Sequence, residues 1–262
     1  MSQNRSEPTP PAPKKPARAK AEAKPVEKGF RGWLKRRHDP LTSLLLTVPV
    51  FLIYHLGLLL PSVRMQNGVD FVTGLAMMVL RESIWGYIGL TLGYCVVIGI
   101  AVAVLRKKGK LRAAEFMPML GESAILAVLM SFSLGWATEK LFSWQAGPEP
   151  MTISEKLVMS AGAGFHEELI FRVVLFAGGA WLLTKVSKLS SKQAVLVAAV
   201  VSSLLFSAVH YVGSLGDTLT IASFGFRFLG GLYLAAVYRF RGFAVAVYTH
   251  AIYDVLVFFF FQ

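Results

Sequence analysis

The chain has 262 residues, of which 55% are hydrophobic and only 16% are charged, with a mean hydropathy of +0.56. Soluble domains run nearer 45–50% apolar and about 25% charged, so the apolar surplus must face something other than water, and lipid is the economical answer. The single cysteine, Cys95, excludes a disulfide within the chain and a cysteine-built metal cluster, and much of the net charge of +12 comes from residues 1–40, which hold 11 Lys/Arg against 4 Asp/Glu.

Residues 1–28 are Pro, Ala, Lys and Glu with almost no large apolar side chain. Such a stretch buries too little surface to offset its ordering entropy, and a disordered basic tail is expected over residues 1–40. Phe30, Trp33 and Leu34, set among Arg31, Lys35, Arg36 and Arg37, suit a short helix on the membrane surface. Basic residues beside a membrane attract anionic lipid, the partner expected for this tail. With no aromatic before Phe30 and no nucleic-acid motif, nucleic-acid binding is not expected. The first apolar run comes too late and is too long for a cleaved signal peptide, so it is expected to stay as an anchor.

Seven runs reach the roughly 18 residues that cross about 30 Å of hydrocarbon as helix. They are drawn at 43–61, 84–105, 116–137, 157–184, 194–213, 219–238 and 243–261. The apolar stretch 69–80 is too short and is expected to be interfacial or re-entrant, an eighth span being its alternative. The expected fold is thus an all-α polytopic bundle. The division expected along the chain is a tail at 1–40, membrane helices at 41–150 and a catalytic membrane core at 151–262.

Charge supports this drawing. With the tail inside, the loops on its side are 106–112, 185–192 and 239–241, carrying five, three and two Lys/Arg. The opposite side receives only Arg64, Arg81, Lys140 and Lys156. The positive-inside rule therefore predicts a cytoplasmic N-terminus.

Ionisable residues inside a membrane cost about 2.5–3.5 kcal/mol each on insertion scales and survive by pairing, lining a wet cavity or doing chemistry. Three late spans carry them. In the fourth, Glu168 and Arg172 are four apart and share a helix face, so they can form a buried ion pair. Glu167 points about 100° away on a regular α-helix. One carboxylate is then held by the arginine and the other can face a cavity and accept a proton as a general base. In the fifth, Phe206 and His210 lie one turn apart. In the seventh, His250 and Asp254 share a face, and the Asp can hydrogen-bond the imidazole and fix its tautomer. On these boundaries His210 and His250 would differ in depth by roughly 10–15 Å, which tilting or shifted helix ends must close.

Weaker candidates surround these. Glu122 in the third span is expected to be interfacial rather than part of the site, and His55 in the first lacks an evident companion. Met77 and Met78 read as packing. Arg227, in the sixth span, is expected to pair with a carboxylate or to bind a substrate's C-terminal carboxylate.

In order, Glu167-Glu168-x-x-x-Arg172, Phe206-x-x-x-His210 and His250-x-x-x-Asp254 resemble the motifs of the CPBP family of CAAX proteases and bacteriocin-processing enzymes, also called Abi. The resemblance covers residues 157–261. It implies an intramembrane glutamic endopeptidase acting on a membrane-tethered protein or peptide. Glu167 would activate water with His210 assisting, and His250 with its neighbour would stabilise the oxyanion. Glu168 and Arg172 would organise the site and Phe206 would shape it. Asp254 stands where the CAAX prenyl endopeptidases have Asn. An ionised Asp cannot donate a hydrogen bond to an oxyanion, so it is expected to orient His250 instead. No cofactor is expected, zinc on two His and a Glu being the lesser alternative. A scaffold or immunity protein and a proton-coupled transporter are the rival classes. The absence of eukaryotic targeting signals points to a bacterial inner membrane.

Overall fold

The computed structural model describes residues 38–63, 83–107, 109–139, 151–212 and 217–260. They fall within one compact unit, Arg36–Gln262. The expected tail over residues 1–37, its surface helix and the segment 69–80 lie outside the described residues.

Seven helices among the described residues are long and apolar enough to cross a membrane, and no strand occurs among those residues. They are α1 (Pro40–Gly57), α2 (Ile84–Leu105), α3 (Phe116–Glu139), α4 (Ile153–Val186), α5 (Ser191–Val209), α6 (Ile221–Arg241) and α7 (Phe243–Phe260). The chain is an all-α polytopic membrane protein, as its apolar runs predict.

The helix starts are written locally. Asp39 caps α1 by accepting from the Thr42 N–H at 3.0 Å, with Pro40 in the first turn, where its missing N–H costs nothing. Thr152 with Glu155 and Ser190 with Gln193 form capping boxes that open α4 and α5. Gly242 alone joins α6 to α7, at φ 102°, a left-handed geometry that residues with a Cβ rarely adopt. The reversal is therefore abrupt, and α6 and α7 lie side by side.

At the centre stands α7, packed on α3, α1, α6 and α4. Its first half, Ala244 to Val247, is fully buried because small and β-branched side chains let neighbouring helices approach. Gly164 shows how close: a Cβ there would lie 2.8 Å from the Ala251 Cβ and 2.8 Å from the Val247 carbonyl oxygen. Gly231 of α6 meets α5 in the same way, 3.0 Å from the Ser203 Cβ. In contrast α2 packs chiefly on α1, and Tyr87 is its one buried residue.

One feature departs from the regular helix expected of the fourth span. Ala163–Glu167 and Leu169–Gly178 within α4 are π-helical. The i→i+5 pattern widens the turn and shortens the rise, and such turns cluster at functional sites. Here Glu167 ends the first and Glu168 lies between the two.

Candidate active site

Glu168 is the organiser. It is fully buried, as is Arg172, whose Nε donates to the Glu168 Oε2 at 2.9 Å. Its second oxygen, Oε1, lies 2.9 Å from the His250 Nδ1. Each carboxylate oxygen thus has a nitrogen partner, and the bonds tie α4 to α7. Nη1 and Nη2 of Arg172 have no hydrogen-bond partner among the described residues, but the guanidinium carbon lies 4.9 Å from the Phe206 ring centroid. A ring face offers a buried cation partial compensation.

Glu167 faces the two imidazoles. Its Oε2 is 4.0 Å from the His210 Nε2 and 4.0 Å from the His250 Nε2. That exceeds a direct hydrogen bond, but one oxygen atom can reach both ends of such a gap. The ring orientations follow from their other nitrogens. His210 Nδ1 sits 2.7 Å from the Phe206 carbonyl, which can only accept, so Nδ1 donates and Nε2 is the nitrogen turned to Glu167. His250 likewise gives Nδ1 to Glu168 and turns Nε2 inward.

The expected hydrogen bond between Asp254 and His250 does not form. The Asp254 Oδ2 is 3.8 Å from Nε2, beyond hydrogen-bond reach, and Glu168 instead fixes the ring through Nδ1. Sequence spacing pairs residues on one helix; the stronger contact here comes from another helix 82 positions away. Asp254 remains a third carboxyl group beside the His250 ring.

Phe206 is buried and packs on three site residues and Phe171. Its ring centroid lies 5.1 Å from that of His210 and 5.9 Å from that of His250, with Phe171 at 5.2 Å and Arg172 over its face. The expected depth gap between the two histidines is closed. α5 stops at Val209, earlier than the span drawn to 213, and His210 caps it. The chain then tightens into turns, with N–H bonds from Tyr211 to Ala208 and from Val212 to Val209. The site therefore lies at the end of α5 but in the middle of α4 and α7. His210 is its most accessible imidazole, 27% exposed at the side chain against 6% for His250.

Arg227 does not enter the carboxylate centre. It pairs with Asp217, donates to the Tyr211 hydroxyl at 2.8 Å and to the Ser223 hydroxyl at 2.6 Å, and lies over the Tyr211 ring. Ser223 lies four residues before Arg227 on α6, whereas Asp217 and Tyr211 precede that helix and no helical spacing pairs them with Arg227. Glu122 is paired with Arg241 at the end of α6. His55 does have companions. Its Nδ1 lies 2.9 Å from the Tyr87 hydroxyl, and its ring packs on Phe51, Tyr54, Tyr94 and His166. These contacts span three helices, so only the fold reveals them.

Comparison with known proteins bears on this arrangement. Residues 150–256 match a family model described as type II CAAX prenyl endopeptidase, Rce1-like. The matched region holds all three motifs, and over those residues the chain is similar to that family. The seven apolar helices make the chain an integral membrane protein, and its last four carry the region similar to CAAX-type peptidases. No curated protein and no solved structure matches the chain.

Proposed function

We propose, on the premise of that family match, that this chain is a glutamic endopeptidase in which Glu167 activates water within the membrane. The observation that carries the reading is the position of the Glu167 carboxylate, 4.0 Å from both inward-facing Nε2 atoms.

Water between Glu167 and His210 loses a proton to the carboxylate while its oxygen attacks the scissile carbonyl carbon. The carbonyl π pair moves onto oxygen. His250 meets that oxyanion with Nε2–H while Nδ1–H stays on Glu168. Preorganised donors of this kind supply the largest single part of many rate enhancements. Collapse of the tetrahedral centre breaks the C–N bond, and the proton taken by Glu167 returns to the leaving amine through His210. Glu168 and Arg172 hold the ring of His250 and never leave their pair. Asp254 lies against the same Nε2.

No metal is needed in this sequence of steps. Two zinc ligands at about 2.0–2.1 Å from a tetrahedral ion lie roughly 3.4 Å apart, which the 4.0 Å separations exceed. No group of three His, Cys, Asp or Glu among the described residues has the geometry of a metal site. The N-terminus is proposed to be cytoplasmic, in a bacterial inner membrane, with the basic tail against anionic lipid.

The test is cleavage of a library of membrane-tethered peptides by purified protein, with Glu167→Gln alongside and with a chelator present. Cleavage that is lost in the variant by at least a thousandfold and kept with chelator is expected. Loss on chelation would replace this mechanism with a metal-dependent one.

A further inference from the structure

His210 occupies a precarious place for a residue that must face Glu167 at a fixed separation. It caps α5, where the last carbonyls lack intrahelical partners and helices fray. One turn earlier the helix is secure, because the Ser207 hydroxyl donates to the Phe224 carbonyl of α6 at 2.7 Å. Beyond that bond and the turn N–H bonds of Tyr211 and Val212, what ties the chain to α6 is a cluster outside all three motifs.

Arg227 is its hub. Before the turn, it donates to the hydroxyl of Tyr211, the neighbour of His210, and lies 5.1 Å over that ring. After the turn, it pairs with Asp217, whose own N–H donates to the His210 carbonyl at 2.9 Å. From α6 itself, Ser223 completes the set, bonded to both Arg227 and the Tyr211 hydroxyl, the latter at 2.7 Å. One guanidinium thus fastens the chain on both sides of His210 to α6. A planar cation with several N–H donors is suited to this; a lysine has no fork to span the three partners.

We propose that Arg227 is a positioning residue that acts through His210: with Asp217, Tyr211 and Ser223 it clamps the end of α5 and so sets the distance from the imidazole to Glu167. This rests on the protease reading given above. Removing the clamp leaves the Ser207–Phe224 bond and the Gly231–Ser203 contact in place, so α5 and α6 stay together and only the terminal turn loosens. Misplacing a proton-transfer group by about 1 Å can cost on the order of a hundredfold.

A double-mutant cycle on the full chain tests it. In otherwise native protein Arg227→Gln is expected to lower kcat at least tenfold and change KM less than twofold. In a His210→Ala background the same substitution is expected to cost less than twofold, since residues acting as one unit are not additive. Arg227→Lys should recover only part of the loss. Amide hydrogen exchange gives a readout independent of cleavage. Exchange across residues 207–212 should rise at least tenfold in Arg227→Gln, with residues 221–241 unchanged. Equal losses in both backgrounds, or unchanged exchange across 207–212, would overturn the proposal. If native protein cleaves nothing, the protease reading falls by itself and the exchange result still decides whether the clamp exists.

Discussion

α2 and α7 are both apolar helices of spanning length, and they live in opposite surroundings. α2 is the more hydropathic, yet 0% of its spanning window is buried in the protein, against 50% for α7. The difference lies in what interrupts the apolar run. α7 carries His250 and Asp254, and its small residues admit neighbours; α2 carries no charge and presents Leu92, Val96, Val97 and Ile100 outward. Hydropathy tells which segments enter a membrane, since lipid and protein interior are equally apolar. Polar residues tell which of them face inward.

That contrast can be broken most severely at the buried charge. Arg172→Ala leaves Glu168 fully buried with its cation gone, which should cost about 3–5 kcal/mol. A thermal melt in detergent should show a strongly destabilised or unfolded protein, whereas Trp85→Ala on the exposed start of α2 should leave the melt near native.

Cavities sharpen it next. Leu234→Ala in α6, at a side chain with no exposure, should cost about 2–5 kcal/mol. Leu92→Ala on α2, 61% exposed, should change stability by under roughly 0.5 kcal/mol. Equal costs would mean that α2 packs as tightly as the centre of the bundle.

Glycines give a smaller test with opposite signs. A methyl at Gly164 would lie 2.8 Å from the backbone oxygen of Val247, so Gly164→Ala should cost about 1–3 kcal/mol and reduce cleavage by moving α4 off α7. Gly93 of α2 meets nothing within 4 Å, and Gly93→Ala should stabilise by up to about 1 kcal/mol through helix propensity.

A pH-dependent effect is expected at the start of α1. Burial of Asp39 pushes its carboxyl up, but hydrogen bonds from the Thr42 side chain and N–H outweigh it, and the group lies below the usual carboxylate range. Its contribution is therefore present above the unfolded value and lost as pH falls through the folded one. Asp39→Ala should cost about 0.5–2 kcal/mol at neutral pH, and stability measured down the acid limb should converge with native.

Much of this was legible in the sequence, for identifiable reasons. The spans follow from run length, and the pairing of Glu168 with Arg172 follows from four-residue spacing that survives even the π-helical turns. The three motifs share one site, as costly polar groups in lipid must. What stayed hidden depended on contacts between helices. Glu168, rather than Asp254, fixes the His250 ring, because α4 and α7 meet at Gly164. The companions of His55 come from three helices, and Arg227 pairs with Asp217 ten positions earlier, outside any helical spacing. The widened turns of α4 leave no periodic signature to read.

The most direct test of Glu167 as the water-activating carboxylate is a single turnover in oxygen-18 water, with both product and enzyme peptides analysed by mass spectrometry. Direct attack by activated water predicts one heavy oxygen in the new C-terminal carboxyl group of the product and none in the peptide containing Glu167. Label appearing in Glu167, or cleavage that persists in Glu167→Gln, would contradict the account.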